Sequence, residues 1–71
     1  MDLFEIDERQ KLGREAAAAR LRDLADQLSR HNSVEFLQNG RQVTVKVPDE
    51  VELKVEVEIG DDNEIEIELS W

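Results

Sequence analysis

The stretch Val34-Glu35-Phe36-Leu37-Gln38-Asn39-Gly40-Arg41-Gln42-Val43-Thr44-Val45 decides how this chain folds. Val34, Phe36, Val43 and Val45 recur at a period of two, which places every second side chain on one face of a strand. Asn39-Gly40 sits midway. A type I′ turn needs positive φ at both central residues, and Asn-Gly meets that need at the least steric cost. A two-residue turn there sets Gln38 opposite Arg41, Phe36 opposite Val43 and Val34 opposite Val45. Directly opposed residues share a face, so the four apolar side chains meet.

The same alternation continues downstream. Pro48-Asp49-Glu50 reads as a turn. Pairing Val47 with Val51 across it sets Val45 opposite Leu53, Val43 opposite Val55 and Lys46 opposite Glu52. Gly60-Asp61-Asp62-Asn63 is the last turn. Pairing Ile59 with Ile65 sets Val57 opposite Ile67, Val55 opposite Leu69 and Leu53 opposite Trp71. The three turns agree on one apolar face, and that agreement predicts a four-strand meander. Upstream, residues 14–31 change period. Ala17, Leu21, Leu24 and Leu28 form a helical stripe, and four alanines at 16–19 favour helix. Gly13 is the expected N-cap, and His31-Asn32 the expected end. Arg22, Asp26 and Arg30 are spaced to ladder along the outer face. Residues 2–9 alternate again, with Phe4 and Ile6 on one side, and predict a first strand flanking either residues 34–37 or residues 64–71. The expected fold is α+β, in the order β-α-β-β-β-β. It is a mainly antiparallel sheet with one helix packed on its apolar face.

Composition narrows the function classes. The chain has 71 residues, 18 acidic and 9 basic, for a net charge of −9. It contains no Cys, which removes disulfides, thiolate metal sites and cysteine nucleophiles from consideration. The pI near 4.4 argues against binding nucleic acid or an anionic membrane. No apolar run approaches the ~20 residues of a membrane span. The acidic beginning, Met1-Asp2-Leu3-Phe4-Glu5, is unlike a targeting peptide, so a cytoplasmic location is expected. A single domain over residues 1–71 is expected from the length. Area scaling gives about 110 kcal/mol of apolar burial for a compact 8.2 kDa chain, against roughly 107 kcal/mol for ordering it. With the two nearly equal, a partner chain, salt or a ligand bears directly on stability.

Arg14-Glu15-Ala16-Ala17-Ala18-Ala19-Arg20-Leu21-Arg22-Asp23-Leu24-Ala25 resembles the helix of the amphi-Trp domain family. Val47-Pro48-Asp49-Glu50-Val51-Glu52-Leu53 and the closing Glu64-Ile65-Glu66-Ile67-Glu68-Leu69-Ser70-Trp71 resemble the same family, which takes its name from the amphipathic last strand and its tryptophan. The resemblance covers nearly the whole chain. It implies a small archaeal protein, halophiles being prominent in the family, and it carries no established activity or catalytic residue. Gly13 departs from the Ser or Thr expected at the helix cap, which bears only on the strength of that cap.

The chemistry-bearing residues are few. The expected register sets Glu56 opposite Glu68 and Glu58 opposite Glu66, although like charges across a strand pair destabilise it. Such a face suits a solvated surface in high salt, where ions screen the repulsion. It also suits a cation site, a basic partner or mimicry of a phosphate backbone. A tight Ca²⁺ site needs ~6–8 converging oxygens, which a flat sheet does not supply. Asp61-Asp62-Asn63-Glu64 lacks the spacing of a cation-binding loop and reads as a polar turn. Charge is split along the chain, with +3 over residues 9–31 and −8 over residues 32–71. His31 is the one candidate general base of its type, and no nucleophile is placed with it, so no enzyme activity and no cofactor are expected.

Geometry adds an expectation about assembly. One helix about 10 Å across cannot cover five strands spaced ~4.8 Å apart. Val55, Val57, Ile67, Leu69 and Trp71 are the residues expected to stay uncovered and to form an interface, most simply in a two-fold homodimer. The expected function is protein–protein contact through that face, with an unidentified protein as a further partner. The alternative is cation or basic-ligand binding, or nucleic-acid mimicry, through Glu56, Glu58, Glu66 and Glu68.

Overall fold

The structure, a computed structural model, describes residues 5–71. In chain order the elements are helix α1 (Arg14–Arg30) and strands β1 (Ser33–Gln38), β2 (Arg41–Lys46), β3 (Glu52–Ile59) and β4 (Asn63–Ser70). The strands pair antiparallel as two separate hairpins, β1 with β2 and β3 with β4. The α+β class and the helix-then-strands order agree with the sequence reading.

The first hairpin forms in the register that Asn39-Gly40 dictates. Val34 lies opposite Val45, Phe36 opposite Val43 and Gln38 opposite Arg41. Both turn residues have positive φ, 51° at Asn39 and 76° at Gly40, as a type I′ turn demands. The helix begins after Gly13, which offers no side-chain cap, and its first bond runs from the Ala17 N–H to the Gly13 carbonyl at 3.0 Å. It ends where the His31 N–H donates to the Gln27 carbonyl at 2.9 Å. Two residues later β1 starts, so the helix folds straight back on this hairpin.

The packed interior sits between α1 and the first hairpin. Val34 is its buried centre. Phe36, Val43, Val45 and Val47 from the strands and Ala17, Leu24 and Leu28 from the helix are half-buried around it. Polar bonds fix the helix against the strand. The Glu35 N–H donates to Gln27 Oε1 at 2.7 Å, which satisfies a β1 backbone donor on the side away from β2. Gln27 in turn donates to Asp23 Oδ2 at 3.1 Å. The Glu35 carboxylate accepts from the Thr44 hydroxyl at 2.6 Å and from Gln42 at 3.1 Å. One side-chain chain therefore runs from α1 through β1 to β2.

Four expectations need correction. Residues 5–9 form no strand, and the start of the expected strand, with Phe4, lies outside the described residues. Gln27 occupies the edge donor of β1 that a flanking strand would have used. Second, β3 does not pair with β2, so Val45 and Leu53, Val43 and Val55, and Lys46 and Glu52 are not cross-strand neighbours. The Val47 N–H instead donates to the Asn32 carbonyl at 2.8 Å, which prolongs the first hairpin. Pro48 follows and pushes Val47, the residue before it, out of the turn-forming α region, and the chain bends only at Asp49.

Third, the β3–β4 register lies two residues from the expected one. The loop is only Gly60-Asp61-Asp62, closed by Ile59 opposite Asn63, whose Oδ1 accepts from the Gly60 N–H at 3.4 Å. A two-residue shift preserves the faces, since side chains alternate with period two. Fourth, the expected Arg22–Asp26–Arg30 ladder is replaced, among the described residues, by one exposed helical ion pair, Arg20–Asp23 at 3.8 Å. Exposed pairs are worth ~0–1 kcal/mol, too little to hold a long series in place.

Replacing Gln27 by alanine strands the Glu35 N–H between helix and strand. The expected loss is about 1 kcal/mol. In a chain of this size that lowers the melting temperature by about 4–8 °C, which a thermal circular-dichroism melt reads directly.

Candidate functional site

The second hairpin is a ribbon against which no other described helix or strand packs. Leu53 lies opposite Leu69, Val55 opposite Ile67 and Val57 opposite Ile65, all on one side. Every residue of β3 and β4 is exposed. Of the expected interface residues, Val57 is 61% exposed, Ile67 54%, and Leu69, the least exposed, still 37%. Val55 and Trp71 are as open as Val57. Trp71 lies past the end of β4, where the same register continues to Val51 rather than to Leu53. The two line a shallow hollow with Glu50, Glu52 and Ser70.

The structure adds Leu53, Ile59 and Ile65 to the uncovered side. Their alternation was visible in the sequence. What was not visible is that the hairpin would stand free of the helix, which packs against β1 alone.

The size of this surface is unusual. A compact chain of 8.2 kDa exposes about 4,500 Å². This one exposes 6967 Å². Its radius of gyration is 13.9 Å, against about 11 Å for a compact chain of this length.

A second uncovered apolar surface lies on the helix side. Leu21 belongs to the helical stripe yet is 51% exposed, and Leu12 is 46% exposed. They line an open groove of about 840 Å³ together with Ile6, Ala17, Phe36 and Val45. Glu8, Gln10 and Arg20 supply its polar lining, and Ile65 of β4 also borders it. The helical stripe is thus covered at Leu24 and Leu28 and bare at Leu21.

The polar side of the ribbon carries the acidic candidates. Glu56 lies opposite Glu66 and Glu58 opposite Glu64, while Glu68 faces Lys54. The expected partners, Glu56 with Glu68 and Glu58 with Glu66, are displaced by the shorter loop. Two Glu–Glu oppositions survive the shift. The Lys54 ammonium lies 3.4 Å from Glu56, so the open end of this face is partly neutralised and the loop end is not. Among the described residues no group of His, Asp and Glu is placed to hold a metal ion. His31 is exposed at the helix end, and the Ser29 hydroxyl donates to the Asp26 carbonyl at 3.3 Å within the helix. No described helix is long and apolar enough to cross a membrane.

Glu66→Lys replaces one like-charge opposition by an attractive one. It is expected to stabilise the protein by roughly 0.2–1 kcal/mol in low salt. In molar KCl, where charges more than ~3 Å apart are screened, the gain should vanish. Paired thermal melts at the two salt concentrations check both parts.

Comparison with curated proteins found no match, and comparison with solved structures found none. Comparison with family models did. The model of the Amphi-Trp domain matches residues 1–71, with the amphipathic β4 and Trp71 inside the match, and the chain belongs to the Amphi-Trp domain family.

Proposed function

We propose that this protein is a non-enzymatic assembly domain that acts by protein–protein contact, first of all with a second copy of itself. One observation carries the reading: the apolar side of β3–β4, from Leu53 to Trp71, is open to solvent along its whole length. Contiguous apolar patches beyond a few hundred Å² mark interaction sites in soluble proteins. The chain exposes about 2,400 Å² more than a compact fold of its mass, and a standard interface needs only ~800 Å² from each partner. The acidic side of the ribbon suits the concentrated salt of a halophilic cytoplasm, where carboxylates stay hydrated and ions screen their repulsion. An unrelated protein is a further partner for the same apolar side.

Static light scattering in molar KCl tests the reading. A mass near twice 8.2 kDa is expected, and an 8.2 kDa species that persists at high protein concentration overturns it. Val57→Asp, on the apolar side, is expected to weaken the dimer by at least tenfold. Glu58→Gln, its neighbour on the other side, is expected to leave it intact.

A second reading rests on the directly opposed pairs Glu56–Glu66 and Glu58–Glu64. Here the acidic side takes a divalent cation or a basic ligand, or imitates the charge of a phosphate backbone. Titration of Mg²⁺ or Ca²⁺ against melting temperature at constant ionic strength decides it. Stabilisation beyond the ionic-strength effect, abolished by Glu66→Lys, supports this reading. Equal stabilisation by KCl alone removes it.

A further inference from the structure

The two uncovered apolar surfaces are the two halves of one contact, and we infer that they meet between copies. The β3–β4 hairpin of one protomer seats in the groove beside α1 and β2 of its partner, and the partner's hairpin returns the same way. The inference rests on the proposed self-association and specifies which surfaces it uses.

Three observations support reciprocal exchange over stacking of hairpin on hairpin. Stacking would cover the ribbons and leave the groove at Leu12, Leu21 and Phe36 open. Exchange covers both surfaces at once, and so removes the larger share of the excess area. Charge points the same way. The ribbon from Glu52 to Ser70 carries −7, whereas residues 9–31 carry +3. Stacking brings two strongly acidic ribbons together, while exchange sets each against a groove whose charged lining, Glu8 and Arg20, is balanced.

The strand edges supply the third. Among the described residues, the outer edge of β2 and the outer edge of β3 are both unpaired. Exposed edges with alternating side chains readily accept a strand from another chain. Pairing β2 with the partner's β3, Val45 opposite Leu53 and Val43 opposite Val55, extends the apolar side without a break. It also sets Lys46 opposite Glu52, an attractive pair.

The connection from β2 to β3 is built for this. Val47 is tied to Asn32, which carries the first hairpin up to Pro48, and the chain bends at Asp49 before β3 begins at Glu52. Residues 48–51 would span at most about 14 Å even fully extended, and β3 does not pair with its own β2. A short hinge between an element and its seat favours the exchanged dimer over the closed monomer.

Relaxing the hinge and mixing complementary lesions test the inference. Inserting Gly-Ser-Gly-Ser between Pro48 and Asp49 should let each hairpin return to its own groove. The variant is then expected to be a folded monomer at concentrations where the wild type is a dimer, read by light scattering and circular dichroism in molar KCl. In parallel, Leu21→Lys damages the groove and Val55→Glu the ribbon, each at an exposed position. Each variant alone should dimerise at least tenfold more weakly than wild type. An equal mixture should give a 1:1 heterodimer in native mass spectrometry, because one of its two contacts is then wild type on both sides. A wild-type dimer whose hinge insertion remains dimeric and whose lesions do not complement overturns exchange and leaves self-association standing. A monomeric wild type overturns both.

Discussion

An α-helix with its side chains is about 10 Å across, close to the width of two strands spaced ~4.8 Å apart. In this chain α1 lies against β1, and Val34, the one buried side chain among the described residues, sits at that contact. Everything the helix shelters belongs to the first hairpin. The second hairpin has the same alternating pattern and a comparable set of Val, Ile and Leu residues, but no helix of its own. Its apolar side is therefore left to the solvent or to another molecule. The limited width of one helix thus accounts for both the small interior and the large exposed ribbon.

The bond from Glu35 to Gln27 Oε1 makes the helix placement specific. A hydrophobic stripe alone would let the helix slide over the strand. A partly buried backbone donor that finds one side-chain acceptor fixes the helix lengthwise, and the Thr44 and Gln42 bonds to Glu35 carry that constraint on to β2. The helix is drawn toward the outer edge of β1, away from β2. The groove at Leu21, Phe36 and Val45 is the space left by that offset.

Charge and hydrophobicity are distributed over the same ribbon in opposite senses. Its apolar side favours association by area, while its acidic side raises the electrostatic cost of bringing like ribbons close. The proposed exchange eases that cost by setting the acidic hairpin against the charge-balanced groove of a second copy instead of against a like ribbon. High salt weakens the repulsion between the facing Glu56 and Glu66 without weakening the hydrophobic drive to cover the exposed Val55, Val57 and Ile67. Family membership sets this ribbon in context: the Amphi-Trp domain match takes in β3, β4 and Trp71 along with the helix and the first hairpin.

The local order of this protein was legible in its residues. Asn39-Gly40 specified a turn and hence the register of Val34, Phe36, Val43 and Val45. The spacing of Ala17, Leu21, Leu24 and Leu28 specified the helix, and the strict alternation from Leu53 to Trp71 specified the two faces of the ribbon. Those features depend on neighbours within a few residues, so composition and period suffice to state them. Three matters were settled only in three dimensions: the free-standing second hairpin, the two-residue shift that moved Glu56 from Glu68 to Glu66, and the exposure of Leu21 within an otherwise covered stripe. A loop of three residues and one of five preserve the same alternation, so the pattern cannot choose between them. Likewise, Val45 and Leu53 are suited to pair, but whether they do so within one chain depends on where Val47, Asn32 and Pro48 direct the backbone.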